Sequence, residues 1–287
     1  MHVTFFGVRG SCPCAGREYR RVGGNTSCVL VSVGGEPPLV LDLGTGLRSL
    51  GEFLCSGDRS VGPLAANALL THLHFDHILG LPFFSPLHEL GAHLTLYGPS
   101  QDGELLRTAL ERAVRPPFFP VKMVEFGGEI DVRELPSGAG PGSADPLQLG
   151  TIVVRAARVP HPGNTLGFRI EADGRTLVYL PDHQAPTDLS TVPDAIGELC
   201  QGADVLLHDA QYTDEEFAEK PDWGHSTVGY AVRVAVDSGA RRLHLFHHDP
   251  AHTDRDVSAN LRAARRLPGA RRLEGVAVAA EGSTVEV

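Results

Sequence analysis

Four side chains that can bind a metal ion stand within six consecutive positions of this chain, between two apolar flanks. The segment is LLTHLHFDHILG, residues 69–80, and the four residues form the pattern HxHxDH. They are His72, His74, Asp76 and His77. A single buried histidine is usually a hydrogen-bonded core residue, but each buried polar group without a partner costs about 1–3 kcal/mol. Four such groups at this spacing therefore favour a metal site.

The spacing also indicates how the motif lies in the fold. Residues two apart on a strand share a face, so we expect His72 and His74 to point the same way at a strand end. Asp76 and His77 follow where the chain turns toward a helix. Nitrogen and oxygen ligands suit zinc or manganese, and histidine and aspartate ligands bind both metals, so the sequence does not identify the metal.

Further candidate ligands stand at the ends of later predicted strands. One motif cannot complete two metal sites, so other segments must contribute ligands. The candidates are His161, Asp182, His208, Asp209, His225, His247 and His248. Each one alone is more often structural than a ligand. Together, after an HxHxDH motif, they favour a shared site.

Short apolar strands come first in the chain, and strands mixed with helices follow. Strands are predicted at 3–6, 28–33, 38–44, 67–72, 93–98, 151–159, 166–170, 175–181, 203–209 and in RRLHLFHHD. Helices are predicted in GTGLRSLGEFL, at 102–114, from a Ser226 cap to Gly239, and in DRDVSANLRAARRL. This order is typical of a layered α/β fold. A Gly/Pro/Ser-rich loop is predicted at 136–146, too short for a domain boundary, so we expect one domain over 1–287.

Composition bears on partners and location. Twenty-five basic against 35 acidic residues give a net charge of −10, which disfavours nucleic acid as a partner. The N-terminal segment lacks the pattern of a signal peptide, and no apolar run is long enough to span a bilayer. The five cysteines are irregularly spaced, without two CxxC pairs. We therefore expect a cytoplasmic protein with no membrane partner.

The chain resembles the metallo-β-lactamase-fold hydrolases over nearly its whole length. The resemblance rests on HxHxDH at 72–77 followed by His161, Asp182 and His247, and Asp42 in LDLGTG matches the family's loop-orienting aspartate. HDAQYT and GHST look like motifs of RNase Z and of the phosphoribosyl cyclic phosphodiesterase, and FFGVRGS, GGNTS, PHPGNTLGFRI and LFHHDPAHTD look like a bacterial cyclic-phosphate or cyclic-nucleotide phosphodiesterase subgroup. The resemblance implies a four-layer αββα sandwich, with two mixed β-sheets flanked by helices and metals at one edge.

The resemblance also implies two divalent metal ions, zinc or manganese. One would be held by His72, His74 and His161, the other by Asp76, His77 and His247, with Asp182 bridging both. His247 is preferred over His248 because the family's ligand directly follows the apolar strand residues. Asp76 would accept a proton from the water that becomes a metal-bridging hydroxide.

The resemblance further implies that His225 contacts the scissile phosphate and helps the leaving oxygen depart, and we expect Asp209 to orient that ring. A purely structural hydrogen bond is the alternative for this pair. We expect His225, Ser226 and Asn164 to bind substrate, Ser226 at a helix start that favours anions. Asn164 lies in a glycine-rich turn that either places N–H groups near a phosphate or is simply a turn. The PPFFPV segment at 116–121 either stacks on a base or packs in the core, and core packing is favoured.

These features predict a dinuclear metal-dependent phosphodiesterase acting on a small cyclic phosphate or cyclic nucleotide. An RNase Z-like tRNA 3′-end endonuclease is the main alternative, disfavoured because only twenty residues separate His161 from Asp182, where that family carries a long tRNA-binding arm. A carbon-ester or β-lactam hydrolase is disfavoured because the zinc-ligating cysteine of many β-lactamases has no counterpart in this chain, where position 182 is aspartate. A regulatory metal-binding protein is disfavoured because every catalytic position is filled. A homodimer is expected only from the relatives.

Overall fold

The fold consists of two β-sheets that pack face to face between layers of helices. The structure is a computed structural model, and it describes residues 1–56, 62–101, 103–135 and 145–287. Each sheet has seven strands. The αββα sandwich that the resemblance implies is confirmed.

The first sheet comes mainly from the N-terminal half of the chain. In spatial order its strands are β14 (Thr284–Glu286), β1 (His2–Gly7), β2 (Cys28–Ser32), β3 (Leu39–Leu41), β4 (Ala65–Leu69), β5 (His93–Pro99) and β6 (Glu129–Leu135). The strands from β3 to β6 run parallel, and those from β14 to β3 pair antiparallel. The helices that connect its parallel strands are α1 (Leu47–Cys55), α2 (Phe75–Ile78) and α3 (Leu106–Ala113).

The second sheet repeats this plan. In spatial order its strands are β13 (Gly275–Val278), β12 (Arg242–Phe246), β11 (Val205–Asp209), β10 (Arg175–Leu180), β9 (Leu166–Ala172), β8 (Ile152–Arg158) and β7 (Leu147–Leu149). The strands from β10 to β13 run parallel. Its connecting helices are α4 (Asp194–Cys200), α5 (Asp214–Glu219), α6 (Val228–Asp237) and α7 (Asp254–Arg266).

Alternation of side chains along the strands produces three apolar layers. The layer between the sheets contains Phe5, Phe168 and Phe246, which are fully buried. The outer layers pack α1 and α3 on the first sheet and α4, α6 and α7 on the second. Each large apolar side chain buried in this way contributes about 1.5–3 kcal/mol to the stability of the fold.

None of the helices among the described residues has the length and apolar character needed to cross a membrane.

The parallel strands of both sheets end at one edge of the sandwich, where ligands bind in folds of this kind. The polar residues that follow these strand ends are Asp42 after β3, His72 after β4, Asp182 after β10, Asp209 at the end of β11 and His247 after β12. The fold therefore gathers residues that lie far apart in the chain.

The predicted strands and helices all have counterparts, but several details differ. The helix predicted from Ser226 starts at Val228, and its cap is Thr227, whose hydroxyl accepts from the backbone N–H of Tyr230. The Ser226 cap was therefore wrong by one residue. The sequence prediction missed β6, β7, β13, β14, α4 and α5. Asp102 of the helix predicted at 102–114, and residues 136–144 of the predicted loop, lie outside the described residues.

Candidate metal centre

Three histidines form the first candidate ligand group. His72 and His74 follow β4, and His161 follows β8. Nε2 of His161 lies 3.1 Å from Nδ1 of His74. One ring nitrogen from each of the three lies within 4.8 Å of the others. This spacing is short enough for one ion to contact all three residues.

The second group consists of Asp76, His77 and His247. Oδ2 of Asp76 lies 3.3 Å from Nε2 of His77 and 3.2 Å from Nε2 of His247. His247 has a φ of 56°, a left-handed conformation that is uncommon for residues other than glycine and is concentrated at functional sites. A Cβ atom on Gly10 would lie 2.3 Å from Nδ1 of His247, so the position of this ring requires glycine there.

Asp182 lies between the two groups. Its Oδ2 is 3.0 Å from Nε2 of His77 and 3.3 Å from Nε2 of His247. Its Oδ1 is 3.7 Å from Nε2 of His161 and 4.0 Å from Nε2 of His72. One carboxylate oxygen therefore faces each group. Burial opposes ionisation of this carboxyl, but His247 and His77 outweigh it and hold the pKa of Asp182 well below its ordinary value.

Acceptors behind the imidazole rings fix which nitrogen faces inward. The pairs are His77 Nδ1 with Asp42 Oδ2 at 2.8 Å, His161 Nδ1 with the Gly224 carbonyl at 2.7 Å, and His247 Nδ1 with Gln211 Oε1 at 2.8 Å. Because each acceptor takes the proton of Nδ1, each Nε2 presents a lone pair to the centre. This is the arrangement that protein histidine ligands of metals adopt.

Asp42 organises the back of the centre. Its carboxylate accepts hydrogen bonds from the Thr71 hydroxyl at 3.0 Å and the Tyr179 hydroxyl at 2.9 Å, as well as from His77. Since Thr71 donates its only hydroxyl proton to Asp42, its lone pair accepts from Nδ1 of His72 at 3.0 Å. One buried carboxylate thus orients two rings of the motif, as expected for the family's loop-orienting aspartate.

Three inward-facing atoms are buried and lack hydrogen-bond partners among the described residues. They are Nε2 of His72, Nε2 of His77 and Oδ2 of Asp182. Unsatisfied groups of this kind cost about 1–3 kcal/mol each. Burial, and then His77, lower the pKa of His72 well below its ordinary value, which keeps that ring neutral. A neutral imidazole beside an ionised carboxylate fits a divalent metal ion.

His225 and Asp209 stand beside these groups. Nδ1 of His225 is 3.0 Å from Oδ2 of Asp209 and 3.8 Å from Oδ1 of Asp182. Asp209 also accepts from the backbone N–H groups of His183 and Gln211, so its carboxylate is held in place. Burial disfavours the charged imidazole, but Asp209 outweighs it and raises the pKa of His225. The expected pairing of these two residues is present.

The other expected substrate-binding residues have different surroundings. Ser226 is fully buried, and its hydroxyl donates to the carbonyl of His183. The Ser226 hydroxyl is therefore engaged within the protein, and contact of this residue with substrate through the helix start stays a prediction. The Asn164 side chain donates to the carbonyl of Ser100 at 2.8 Å, which holds the turn, so its contact with substrate stays a prediction.

The adjacent histidines that follow β12 face different ways. His247 faces the centre, whereas Nε2 of His248 donates to the carbonyl of Ala279 at 3.1 Å. The sequence reasoning missed Thr71, Tyr179 and Gln211 as orienting residues. Thr71 and Gln211 stand directly beside quoted motifs, which was a usable signal. Nothing in the sequence marks Tyr179 as an orienting residue, because it is one of several similar strand residues and lies 137 positions from Asp42, which it contacts.

The comparisons with known proteins agree with this geometry. Residues 41–248 match the model of the Beta-lactamase superfamily domain. An uncharacterized protein of Mycobacterium leprae is 33% identical over 241 residues, covering 79% of this chain and 72% of that protein. A ribonuclease Z of Natronomonas pharaonis is 28% identical over 303 residues, covering 90% of this chain and 92% of that enzyme.

A solved structure shares the fold. It is described as a new diphosphatase from the PhnP family and superposes with a TM-score of 0.65, at 20% sequence identity, over 100% of this chain and 97% of that one.

Proposed function

This chain belongs to the metallo-β-lactamase superfamily of hydrolases, and we propose that it is a dinuclear metal-dependent phosphodiesterase acting on a small cyclic phosphate or cyclic nucleotide. The observation that carries the proposal is the position of Asp182, which turns one carboxylate oxygen toward each histidine group. Such a shared carboxylate suits a two-metal site, and two-metal sites are typical of enzymes that cleave phosphate esters.

Seven residues would hold the two ions, zinc or manganese. The first ion would contact His72, His74 and His161, the second would contact Asp76, His77 and His247, and Asp182 would contact both. When bound, the ions would supply Lewis-acid stabilisation of the negative charge that develops on the phosphoryl oxygens. Without them, a proton on His77 would relieve its contact with Asp182. Burial lowers the pKa of His77, but Asp182 and Asp76 outweigh it and raise that pKa, so metal binding would release protons.

Two residues would move protons. Oδ2 of Asp76 accepts the backbone N–H of Ser11 at 2.7 Å, whereas its Oδ1 accepts no hydrogen bond from a described residue. Oδ1 would take the proton of the attacking water. His225 has Nδ1 engaged by Asp209, so its Nε2 would donate a proton to the leaving oxygen. Asp209 would stabilise the imidazolium of His225, which carries the Nε2 proton that this step requires, and would hold the ring in its orientation.

An RNase Z-like activity is the second candidate, since the relative from Natronomonas pharaonis carries that name and is covered over 92% of its length. Between His161 and Asp182 the chain forms only the hairpin of β9 and β10. No segment there could serve as a tRNA-binding arm, and the net charge of −10 disfavours a polyanionic substrate. Both features favour the small phosphodiester.

The test is turnover by the metal-reconstituted protein. The panel contains 2′,3′- and 3′,5′-cyclic nucleotides, phosphoribosyl cyclic phosphate, precursor tRNA and nitrocefin. We expect turnover of a cyclic phosphodiester and none of nitrocefin. Cleavage of precursor tRNA at nanomolar enzyme, without turnover of any cyclic phosphate, would establish the RNase Z-like alternative. Hydrolysis of nitrocefin alone would establish the carbon-ester or β-lactam alternative.

A further inference from the structure

An apolar cavity of about 500 Å³ opens between α2 and α3. Its walls include Phe75, Phe83, Phe118 and Phe119, and we call these four residues the aromatic groove. The groove adjoins the segment that carries the metal-binding motif, because Leu73 and Phe75, which line it, are the chain neighbours of His72, His74 and Asp76. A volume of this size is typical of small-molecule sites.

The aromatic groove leaves large rings in contact with solvent. Phe75 is 72%, Phe83 53% and Phe118 78% exposed. Phe119 packs edge-on against Phe83, with ring centroids 5.8 Å apart, and also against the outer core. The expectation that the PPFFPV segment packs in the core therefore holds for Phe119 and was wrong for Phe118. Clustered exposed aromatics of this kind mark a binding surface.

We propose that the aromatic groove binds the base of a cyclic nucleotide while its phosphodiester lies at the metal centre. This inference rests on the proposed function and narrows it, because a ribose phosphate without a base has no apolar ring to place there. Planar bases stack on aromatic side chains with little dependence on sequence. Arg112 also lines the cavity, held at 2.9 Å by Glu104, and its guanidinium complements both a π face and an anionic ligand.

The test compares substrates with and without a base. Phe118→Ala and Phe118→Trp are measured beside Phe53→Ala, a control of comparable exposure (54%) that packs on Phe6 outside the groove. The substrates are cyclic AMP isomers and phosphoribosyl cyclic phosphate, with kcat and KM determined separately. We expect Phe118→Ala to raise KM for the cyclic nucleotide by about 5- to 100-fold, with little change in kcat. Phe118→Trp and Phe53→Ala should retain the parental KM, and KM for the base-free substrate should not move.

Two results would overturn the inference. One is an equal rise of KM for both substrates, and the other is parental kinetics for Phe118→Ala. If parental kinetics are accompanied by a change from a parental dimer to a monomer in Phe118→Ala, measured by sedimentation, the groove is assigned to a second copy of this chain.

A further experiment distinguishes failure of the proposed function from failure of the inference that the aromatic groove binds a base. If the parental protein turns over no phosphodiester, binding of adenosine 5′-monophosphate is measured by calorimetry on the metal-loaded protein. Binding that Phe118→Ala weakens and Phe53→Ala does not would retain the base site. Absence of binding would remove it.

Discussion

Oδ2 of Asp182 lies 3.0 Å from Nε2 of His77, although the proton of that imidazole is directed to Asp42 on the opposite side of the ring. Two acceptors that face each other at this distance repel, and either a proton or a metal cation between them removes the repulsion. The same carboxylate reaches toward His161 through Oδ1. Asp182 is therefore the residue on which both halves of the candidate centre depend.

We expect Asp182→Asn to lose bound metal and activity together. The change removes the negative charge that both groups share, so the loss should exceed the roughly 10- to 100-fold that removal of an outer hydrogen-bond partner causes. Metal content after gel filtration and kcat/KM measure the two effects. Asp173→Asn changes an exposed aspartate with the same chemistry and should alter neither. Parental metal content in Asp182→Asn would contradict the assignment.

His225→Ala should lower the rate while metal content stays at the parental level. Removal of a general acid slows a reaction by roughly 10²- to 10⁴-fold. The loss should be smaller for bis-p-nitrophenyl phosphate than for a cyclic nucleotide, because p-nitrophenolate departs without protonation. Asp209→Asn should show the same dependence on the leaving group with a smaller loss. An equal loss on both substrates would indicate a structural role for the pair.

Substitution of each of the two adjacent histidines after β12 should have a different effect, one on metal binding and the other on stability. His247→Ala should lose metal, because its ring faces Asp76 and Asp182. His248→Ala should keep metal but lower the free energy of unfolding by about 1–3 kcal/mol, since it leaves the Ala279 carbonyl without its donor. Metal analysis and chemical denaturation of both variants measure these outcomes. Loss of metal only in His248→Ala would reverse the assignment.

The gathering of the candidate ligands was predictable from strand ends. Parallel strands in both sheets end at one edge, so a polar residue directly after each strand has to lie near the others. The HxHxDH spacing then places His72 and His74 on one side. These inferences rest on local periodicity and on the motifs of the family that the chain resembles, which is why they reached seven candidate ligands in four segments.

Features that depend on tertiary packing were not predictable. Ser226 and Thr227 are both good caps, and the choice follows from the contact of Ser226 with His183 in another loop. Likewise, nothing in PPFFPV distinguishes exposed Phe118 from packed Phe119. The short strands β7 and β14 are each three residues long, so a period of two has too few positions to stand out.

His244 should make the stability of the protein fall in mild acid. Its ring stacks near Phe5, with centroids 6.0 Å apart, and its buried Nδ1 has no hydrogen-bond partner among the described residues. Burial, and then Arg242, lower the pKa of His244 to about 4. The unfolded chain has an ordinary histidine pKa of about 6.5. Above that value the ring is neutral in both states. As the pH falls from about 6.5 toward about 4, only the unfolded state takes up the proton, so the folded state loses stability in this window.

The matched variant is His244→Phe, which keeps an aromatic ring beside Phe5 and removes the titration. Between about pH 7.5 and about pH 5, the parental protein should lose about 2 kcal/mol more unfolding free energy than this variant. Both proteins are denatured chemically in the presence of a chelator, so that neither holds metal. Titration of the ligand side chains then contributes equally to both proteins and cancels in the difference between their unfolding free energies. Identical pH dependence would mean that His244 takes up its proton in the folded state as readily as in the unfolded chain, which its unpartnered Nδ1 and apolar neighbour argue against.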